Sequence, residues 1–356
     1  MLGYDLARAV ERLGPGPAEA ASTPALWFGA YPALARWDRG GTGELVGEPA
    51  AVAALADALA APAPPRQAPR LGPLVAGDDT DELHRQRIER ALAYIAAGDV
   101  YQVNLARRLR AEVRAPGDPL ALLEALLAEA PAPYAALIEA DGATVVSGSP
   151  ERFLARVDDR LETRPIKGTR PRGATAAADD ALAAELAGAA KDGAEHLMIV
   201  DLERNDLGRI AEVGSVRVDR LGYGVALPQV HHQVSRISAR PRAEVGLAAL
   251  LRATFPGGSI TGAPKVRAMQ LIDELERGRR GAYCGAFGYL GDGGGLDLAI
   301  AIRIGVLTAD ELRVHVGGGI VADSDPDAEL AEAEVKALGW RRALARLDAD
   351  RLSSPG

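Results

Sequence analysis

Lysine is scarce in this 356-residue chain: of 41 basic residues only Lys167, Lys191, Lys265 and Lys336 are lysines. An arginine cannot be deprotonated in a protein, so any chemistry that needs a neutral amine has these four candidates. Cysteine is scarcer still. The single Cys284 excludes an intrachain disulfide and fits a reducing compartment. No stretch of 18 apolar residues occurs, and the opening residues lack the charged-then-apolar pattern of a leader, so a cytoplasmic location is expected and a membrane partner is not. Positive charge is also in deficit. A net charge of −8 argues against a nucleic-acid or anionic-membrane surface, both of which need clustered basic residues. It leaves room for a small anionic substrate in a locally positive site.

What is present is ordinary for a soluble globular chain: 48% hydrophobic and 25% charged residues, in a length able to bury a sizeable core. The first sixty residues mix a helical pattern (Leu6, Val10, Leu13) with the strand-like "ALWFGAYPALARW". "APAPPRQAPRLGPL", Ala61 to Leu74, reads as an extended linker because proline fixes φ and removes backbone donors. Residues 1–74 are accordingly expected to form a small N-terminal part plus linker, and 75–356 the main domain. Ile88, Ala91, Leu92 and Ile95 recur at helical spacing over 81–97, with Gly98 just past the end.

From Ala135 short apolar runs broken by Asp-Gly and Asp-Asp predict strands. Ala-rich helices are expected near 177–190 and 193–204. "YCGAFGYLGDGGGLDLAIAIRIGVLTADELRVHVGGGIV" reads as an antiparallel meander with turns at "GDGGG" and "TAD". The last helix should open with Asp325 as N-cap and Pro326 at its first position. Strands and helices in blocks, without strict alternation, make the class α+β.

Several groups in this frame could carry chemistry. Glu329 and Glu332 share one face of the last helix, and Glu195 lies on another predicted helix. Three convergent carboxylates would suit a hard cation such as Mg²⁺. Equally, Glu332 and Lys336 could form a solvated i,i+4 pair. Gly317, Gly318 and Gly319 end a strand, where bare backbone can approach an anion or make a bulge. "FPGGSITGAPK" is glycine-rich but lacks the ending of a phosphate loop. His231 and His232 do not have the spacing of a metal motif. Arg303 stands inside the apolar run "LDLAIAIRIGVL" and needs a carboxylate partner if buried. Glu151 follows a predicted strand, 16 residues before Lys167.

Together these segments resemble the chorismate-utilising enzymes, a family that includes the large subunits of anthranilate and aminodeoxychorismate synthases and the isochorismate and salicylate synthases. The matching stretches are "IAAGDVYQVNLARRL", "SGSPERF", "TRPIKGTRPRG", "EHLMIVDLERNDLGRI", "VHHQVS", "FPGGSITGAPKVRAMQLIDELE", "YCGAFGYL", "LDLAIAIR" and "GGGIVADSDPDAELAEAEVKA". They occur in the family's order over roughly residues 78–340. The resemblance implies antiparallel sheets packed face to face and flanked by helices, with the site between them. It implies Mg²⁺ held by Glu195 and Glu332 with support from Glu329, and bound to the ring carboxylate of chorismate. Gly168 and Thr169 would also touch that carboxylate. Tyr283, Arg303 and the Gly317–Gly319 backbone would hold the enolpyruvyl carboxylate.

Lys167 points to one branch. The anthranilate-forming pattern carries a small residue there, whereas "PIKGT" is similar to the aminodeoxychorismate-forming branch. In that branch the lysine is proposed to attack carbon 2 of chorismate as the 4-hydroxyl departs, and ammonia then attacks carbon 4 and expels the lysine. "FPGG" is likewise closer to this branch than the "PAGT" variant. Glu151 is the expected base and acid, with His232 as a second acid or an orienting group. Gln102 stands where the water-adding branches carry a lysine, and glutamine cannot act as that base at neutral pH. Ammonia would come from a separate glutamine amidotransferase subunit. "GYDLARAVERLG" resembles a segment normally about a hundred residues into family members, so the expectation is a shortened N-terminal sheet and no tryptophan binding of the family's usual kind.

Overall fold

The structure, a computed structural model, describes residues 1–19, 21–38 and 40–353. The chain begins with α1 (Ala7–Val10), then a hairpin of β1 (Ala33–Trp37) and β2 (Gly43–Gly47) beside α2 (Pro49–Ala60). The proline-rich segment contributes only the two-residue β3 (Arg70–Leu71), as its missing backbone donors require. There follow α3 (Asp81–Ala96), β4 (Gln102–Ala115), α4 (Pro119–Glu129), β5 (Tyr134–Ala140), β6 (Ala143–Ser149), β7 (Arg152–Val157), β8 (Arg160–Arg164) and β9 (Ile166–Pro171). Next come α5 (Ala176–Gly188), α6 (Ala190–Gly208), β10 (Arg217–Ala226), β11 (Val230–Ala239) and α7 (Leu247–Thr254). The chain ends with β12 (Gly262–Ala263), α8 (Lys265–Leu275), β13 (Ala286–Leu290), β14 (Leu296–Ile300), β15 (Ile304–Leu307), β16 (Glu311–Ile320) and α9 (Pro326–Ser353).

Local chemistry sets these boundaries. Thr80 caps α3, its hydroxyl accepting from the Leu83 amide at 3.2 Å, and Gly98 follows the helix at φ +84°. Asp325 caps α9 through the Asp327 and Ala328 amides at 3.1 and 2.9 Å, and Pro326 opens the helix as expected. Asp141 and Gly142, both at positive φ, make the tight turn between β5 and β6.

Two seven-stranded antiparallel sheets dominate, so the α+β class and the antiparallel architecture hold. The first runs β10-β11-β8-β7-β14-β13, with β9 also on β11. The second runs β12-β4-β16-β15-β6-β5, with β3 on β4. Val103, Leu105, Val145, Val306 and Ile320 from the second share one core with Leu154, Leu161, Ile237 and Leu298 from the first. Met1, Leu2, Tyr4 and Ala7 join that core. A smaller core lies where α4 and α9 cover the second sheet: Leu109, Val146 and Val314 meet Leu122, Leu126, Ala337 and Trp340. Adjacent Val145 and Val146 fall in different cores, as strand alternation dictates. Helices α5 and α6 pack on β9 and β11 of the first sheet.

Two sequence expectations are corrected. The meander is split: β13 and β14 belong to the first sheet, β15 and β16 to the second. Arg303 is therefore in no strand. It sits at the crossover, at φ +51°, where the chain leaves one sheet for the other. Apolar patterning on both sides of the crossover is alike, so it carries no mark of the switch. The helical pattern at Leu6–Leu13 yields only a short turn and the four-residue α1.

Candidate active site

The site is assembled where β9, β16, α6 and α9 converge. On β9, Gly168 is an extra residue in the ladder: Thr169 pairs with His232 and Lys167 with Gln233, leaving Gly168 unpaired between them. Its φ of +77° and the nearness of Leu186, 2.7 Å from where a Cβ would stand, both require glycine. Thr169 Oγ1 lies 2.9 Å from His232 Nδ1. The Lys167 ammonium is 3.8 Å from Glu195 Oε2, with both side chains mostly buried.

On β16 the three glycines let neighbours approach from both sides. A Cβ on Gly319 would stand 2.9 Å from Gln102 Nε2 and 3.2 Å from the Lys167 Nζ. A Cβ on Gly318 would stand 3.1 Å from Glu329 Oε2, 3.6 Å from Lys336 Nζ and 3.7 Å from Glu332 Oε1. Gly317 presses against β4, where the Leu105 carbonyl leaves no room for any side chain. Lys336 donates to the Gly317 carbonyl and pairs with Glu332, each at 2.7 Å. The i,i+4 pair read from the sequence therefore exists, and it sits within the site.

The carboxylates are strained by burial and by each other. Burial raises the Glu195 carboxyl, opposed by Lys167 and Lys191 and reinforced by Asp192 and Glu332. Burial likewise raises Glu329, against the hydroxyl of Ser324 that donates to it at 2.6 Å. Burial also works against ionised Glu332, but Lys336 prevails and holds that carboxyl below its ordinary value. Among the described residues no group of three acidic, histidine or cysteine side chains stands close enough to hold a metal ion as arranged. The donor set is nonetheless all oxygen and its repulsion favours a cation, which fits a hard divalent ion.

Glu151, 4% exposed, follows β6 and accepts a hydrogen bond from Ser259 Oγ at 2.8 Å. Burial pushes its carboxyl up to about 7, against Ser259, the Lys167 charge and the Ile166 amide. His232 is buried, and burial together with Arg303 lowers it to about 4, so it is neutral at pH 7. Its Nε2 has no hydrogen-bond partner among the described residues. His231 faces the other way and binds Asp179 at 2.8 Å, pinning α5.

Arg303 is half-buried and, among the described residues, makes no ion pair or side-chain hydrogen bond; burial lowers it. Tyr283 is buried and stacks on His315 with ring centroids 5.0 Å apart. Gln102 is fully buried, and among the described residues neither its amide nitrogen nor its oxygen has a partner.

Two features escaped the sequence reading. Ser259 lies in "FPGGSITGAPK", legible in the sequence as a glycine-rich loop and a family motif, with a hydroxyl among glycines as its sole local signal. Lys336 stands out in the sequence as one of four lysines and as a partner for Glu332, but its bond to the Gly317 carbonyl does not.

The family described as chorismate binding enzyme matches residues 1–340. An aminodeoxychorismate synthase of Streptomyces pristinaespiralis is 48% identical over 272 residues, which is 76% of this chain and 38% of that protein. Aminodeoxychorismate synthase component 1 of Escherichia coli is 46% identical over 71% of this chain and 55% of its own length. An anthranilate synthase component 1 of Haloarcula marismortui is 45% identical over 76% of this chain and 57% of its own. The chain thus spans about half the length, or less, of these relatives. The crystal structure of anthranilate synthase component I from Streptococcus pneumoniae superposes with a TM-score of 0.84 at 30% identity, covering 96% of this chain and 79% of that one. The chain belongs to the chorismate binding enzyme family.

Proposed function

We propose that this chain is an aminating member of the family, converting chorismate and ammonia to 4-amino-4-deoxychorismate and water for the p-aminobenzoate branch of folate synthesis, as aminodeoxychorismate synthase component I. The observation that carries the reading is the place of Lys167. One of only four lysines, it stands between Glu195, Gln102 and the bare face of Gly319. Relatives of both the aminating and the anthranilate-forming kind match at similar identity, so overall likeness does not choose between them.

Glu195 and Glu332 would hold Mg²⁺, with Glu329 in support. When bound, the ion supplies positive charge for the ring carboxylate of chorismate. Gly168 and Thr169 would touch that carboxylate, and the neutral His232 would face the ring with its unpartnered Nε2. The second carboxylate, on the enolpyruvyl group, would pair with Arg303 beside Tyr283 and the Gly317–Gly319 backbone. That ion pair satisfies a guanidinium otherwise left half-buried and alone.

Lys167 must lose a proton before it can attack. Glu151, with its carboxyl near 7, can accept that proton. The amine then bonds to carbon 2, both conjugated ring double bonds shift, and the bond from carbon 4 to its hydroxyl breaks, the hydroxyl leaving with a proton as water. Ammonia bonds to carbon 4, both double bonds shift back, and the bond from carbon 2 to the Lys167 amine breaks, the amine being reprotonated. Gln102 offers no base for water at the same place, which disfavours hydration. A glutamine amidotransferase subunit would supply the ammonia.

The test is product identification by mass spectrometry after incubation with chorismate, Mg²⁺ and ammonium at alkaline pH. Aminodeoxychorismate without pyruvate is the expected result, and Lys167→Ala should abolish it. Anthranilate with pyruvate would assign the chain to the other branch, and an unimpaired Lys167→Ala variant would remove the covalent role.

A further inference from the structure

We propose that Ser259 is a positioning residue for Glu151, fixing one carboxyl oxygen so that the exchangeable proton resides on the other. The inference rests on the aminating reading above. It also gives a role to the "FPGGSITGAPK" loop, which lacks the ending of a phosphate loop.

The hydroxyl of Ser259 donates to Glu151 Oε1 at 2.8 Å, and both residues are buried, at 6% and 4% exposure. An oxygen that accepts such a bond is a poor place for the acid's own proton, so the proton occupies Oε2. The loop is built to keep the hydroxyl there. Thr261 Oγ1 donates to the Gly257 carbonyl at 2.9 Å, closing the turn around Ser259. The Thr261 carbonyl accepts from the Asn104 amide of β4 at 2.8 Å, and Gly262 pairs with Val103. A Cβ at Gly262 would stand 2.1 Å from the Gln102 carbonyl, and one at Gly258 would stand 2.8 Å from Leu202 of α6. The glycines therefore let the loop wedge between β4 and α6, and Ser259 is what it presents to the site.

The charged and titratable groups around Glu151 are Lys167 from β9, Glu203 from α6 and Cys284 ahead of β13. Lys167 favours the ionised carboxylate, while Glu203 is itself pushed up to about 8 with Glu151 contributing, so it is largely neutral where Glu151 titrates. Ser259 joins Lys167 in favouring ionisation. Its removal must therefore move Glu151 upward, and Glu151 must be ionised in the free enzyme to accept the Lys167 proton.

Ser259→Ala and Ser259→Thr would be compared with the unsubstituted chain in two measurements. In the first, the rise of kcat/KM with pH should shift up by about one unit in Ser259→Ala, since a hydrogen bond to a charged group contributes roughly that much. Activity should fall about fivefold at pH 7, recover toward pH 9, and be restored by threonine. A merely structural role would lower activity equally at all pH values. In the second, the ¹³C resonance of the Glu151 carboxyl, assigned with Glu151→Gln, is titrated without turnover. An unmoved midpoint overturns the proposal. A raised midpoint in a chain that does not aminate chorismate upholds the Ser259 contact and overturns the aminating reading instead.

Discussion

Arg303 and Glu203 are both ionisable groups drawn out of water, Arg303 half-buried and Glu203 buried, and they differ in what faces them. Arg303 has no partner among the described residues because its partner is expected to be substrate. Replacing it with methionine removes a desolvated cation and should leave the melting temperature unchanged or higher. The same substitution should raise KM for chorismate about tenfold or more, the loss expected for a charge-assisted bond to a carboxylate. A lower melting temperature with unchanged KM would mean the guanidinium is structural. Glu203 instead faces its own fold. Thr163 donates to it at 2.7 Å, and burial lifts it to about 8, reinforced by Glu151 and Asp206. Its folded value lies above the unfolded one near 4.5, so the native state favours the protonated acid. Stability should then fall as pH rises from about 4.5 through 8 and level off beyond. Glu203→Gln mimics the protonated form, so its stability advantage should grow across that range, by a few kcal/mol in all. Chemical denaturation at pH 5, 7 and 9 reads this directly, and a constant difference would place the ionised carboxylate in the fold.

At the scale of elements, the three glycines of β16 are predicted to fail differently. A Cβ on Gly317 would collide with the Leu105 carbonyl at 2.0 Å, and backbone in a paired strand cannot withdraw. Gly317→Ala should therefore lower the melting temperature by several degrees. A Cβ on Gly319 meets the ends of Gln102 and Lys167, both able to shift. Gly319→Ala should fold normally and lose substrate affinity. Equal melting temperatures for the two variants would contradict this. The run "GGGIV" showed from sequence that bare backbone mattered there. It could not show that a side chain on Gly317 would meet the β4 backbone while one on Gly318 or Gly319 would meet movable side chains, because that depends on which strand lies alongside. The helix α9 was legible because its cap is local, Asp325 acting within one turn, and α3 because Ile88, Ala91, Leu92 and Ile95 recur at helical spacing up to Gly98. The switch between sheets at Arg303 was not, since each sheet offers the same alternating apolar surface. Ser259 was invisible for a related reason: Glu151, which it holds, lies 108 residues away.

For the molecule as a whole, the site lies among elements remote in sequence, drawn from both sheets. Glu195 belongs to α6 on the first sheet, while Glu329 and Glu332 belong to α9 on the second. Lys167 and the Gly318–Gly319 backbone stand between them. A substrate with two carboxylates, gripped at one end by a cation on α6 and α9 and at the other by Arg303 at the crossover, would tie both sheets together. Each ligand that binds only the native state raises the melting temperature according to its concentration and affinity. If metal and chorismate share one carboxylate, each should also tighten the other's binding by the same factor. The melting temperature with Mg²⁺ and chorismate together should then exceed the sum of the two separate shifts, and EDTA should abolish the excess. Lys167→Ala is the informative background, because it keeps the carboxylates but stops turnover from consuming the ligand. Strictly additive shifts there would mean that the cation and the ring carboxylate do not meet, and that Glu195, Glu329 and Glu332 act through Lys167 and Lys336 alone.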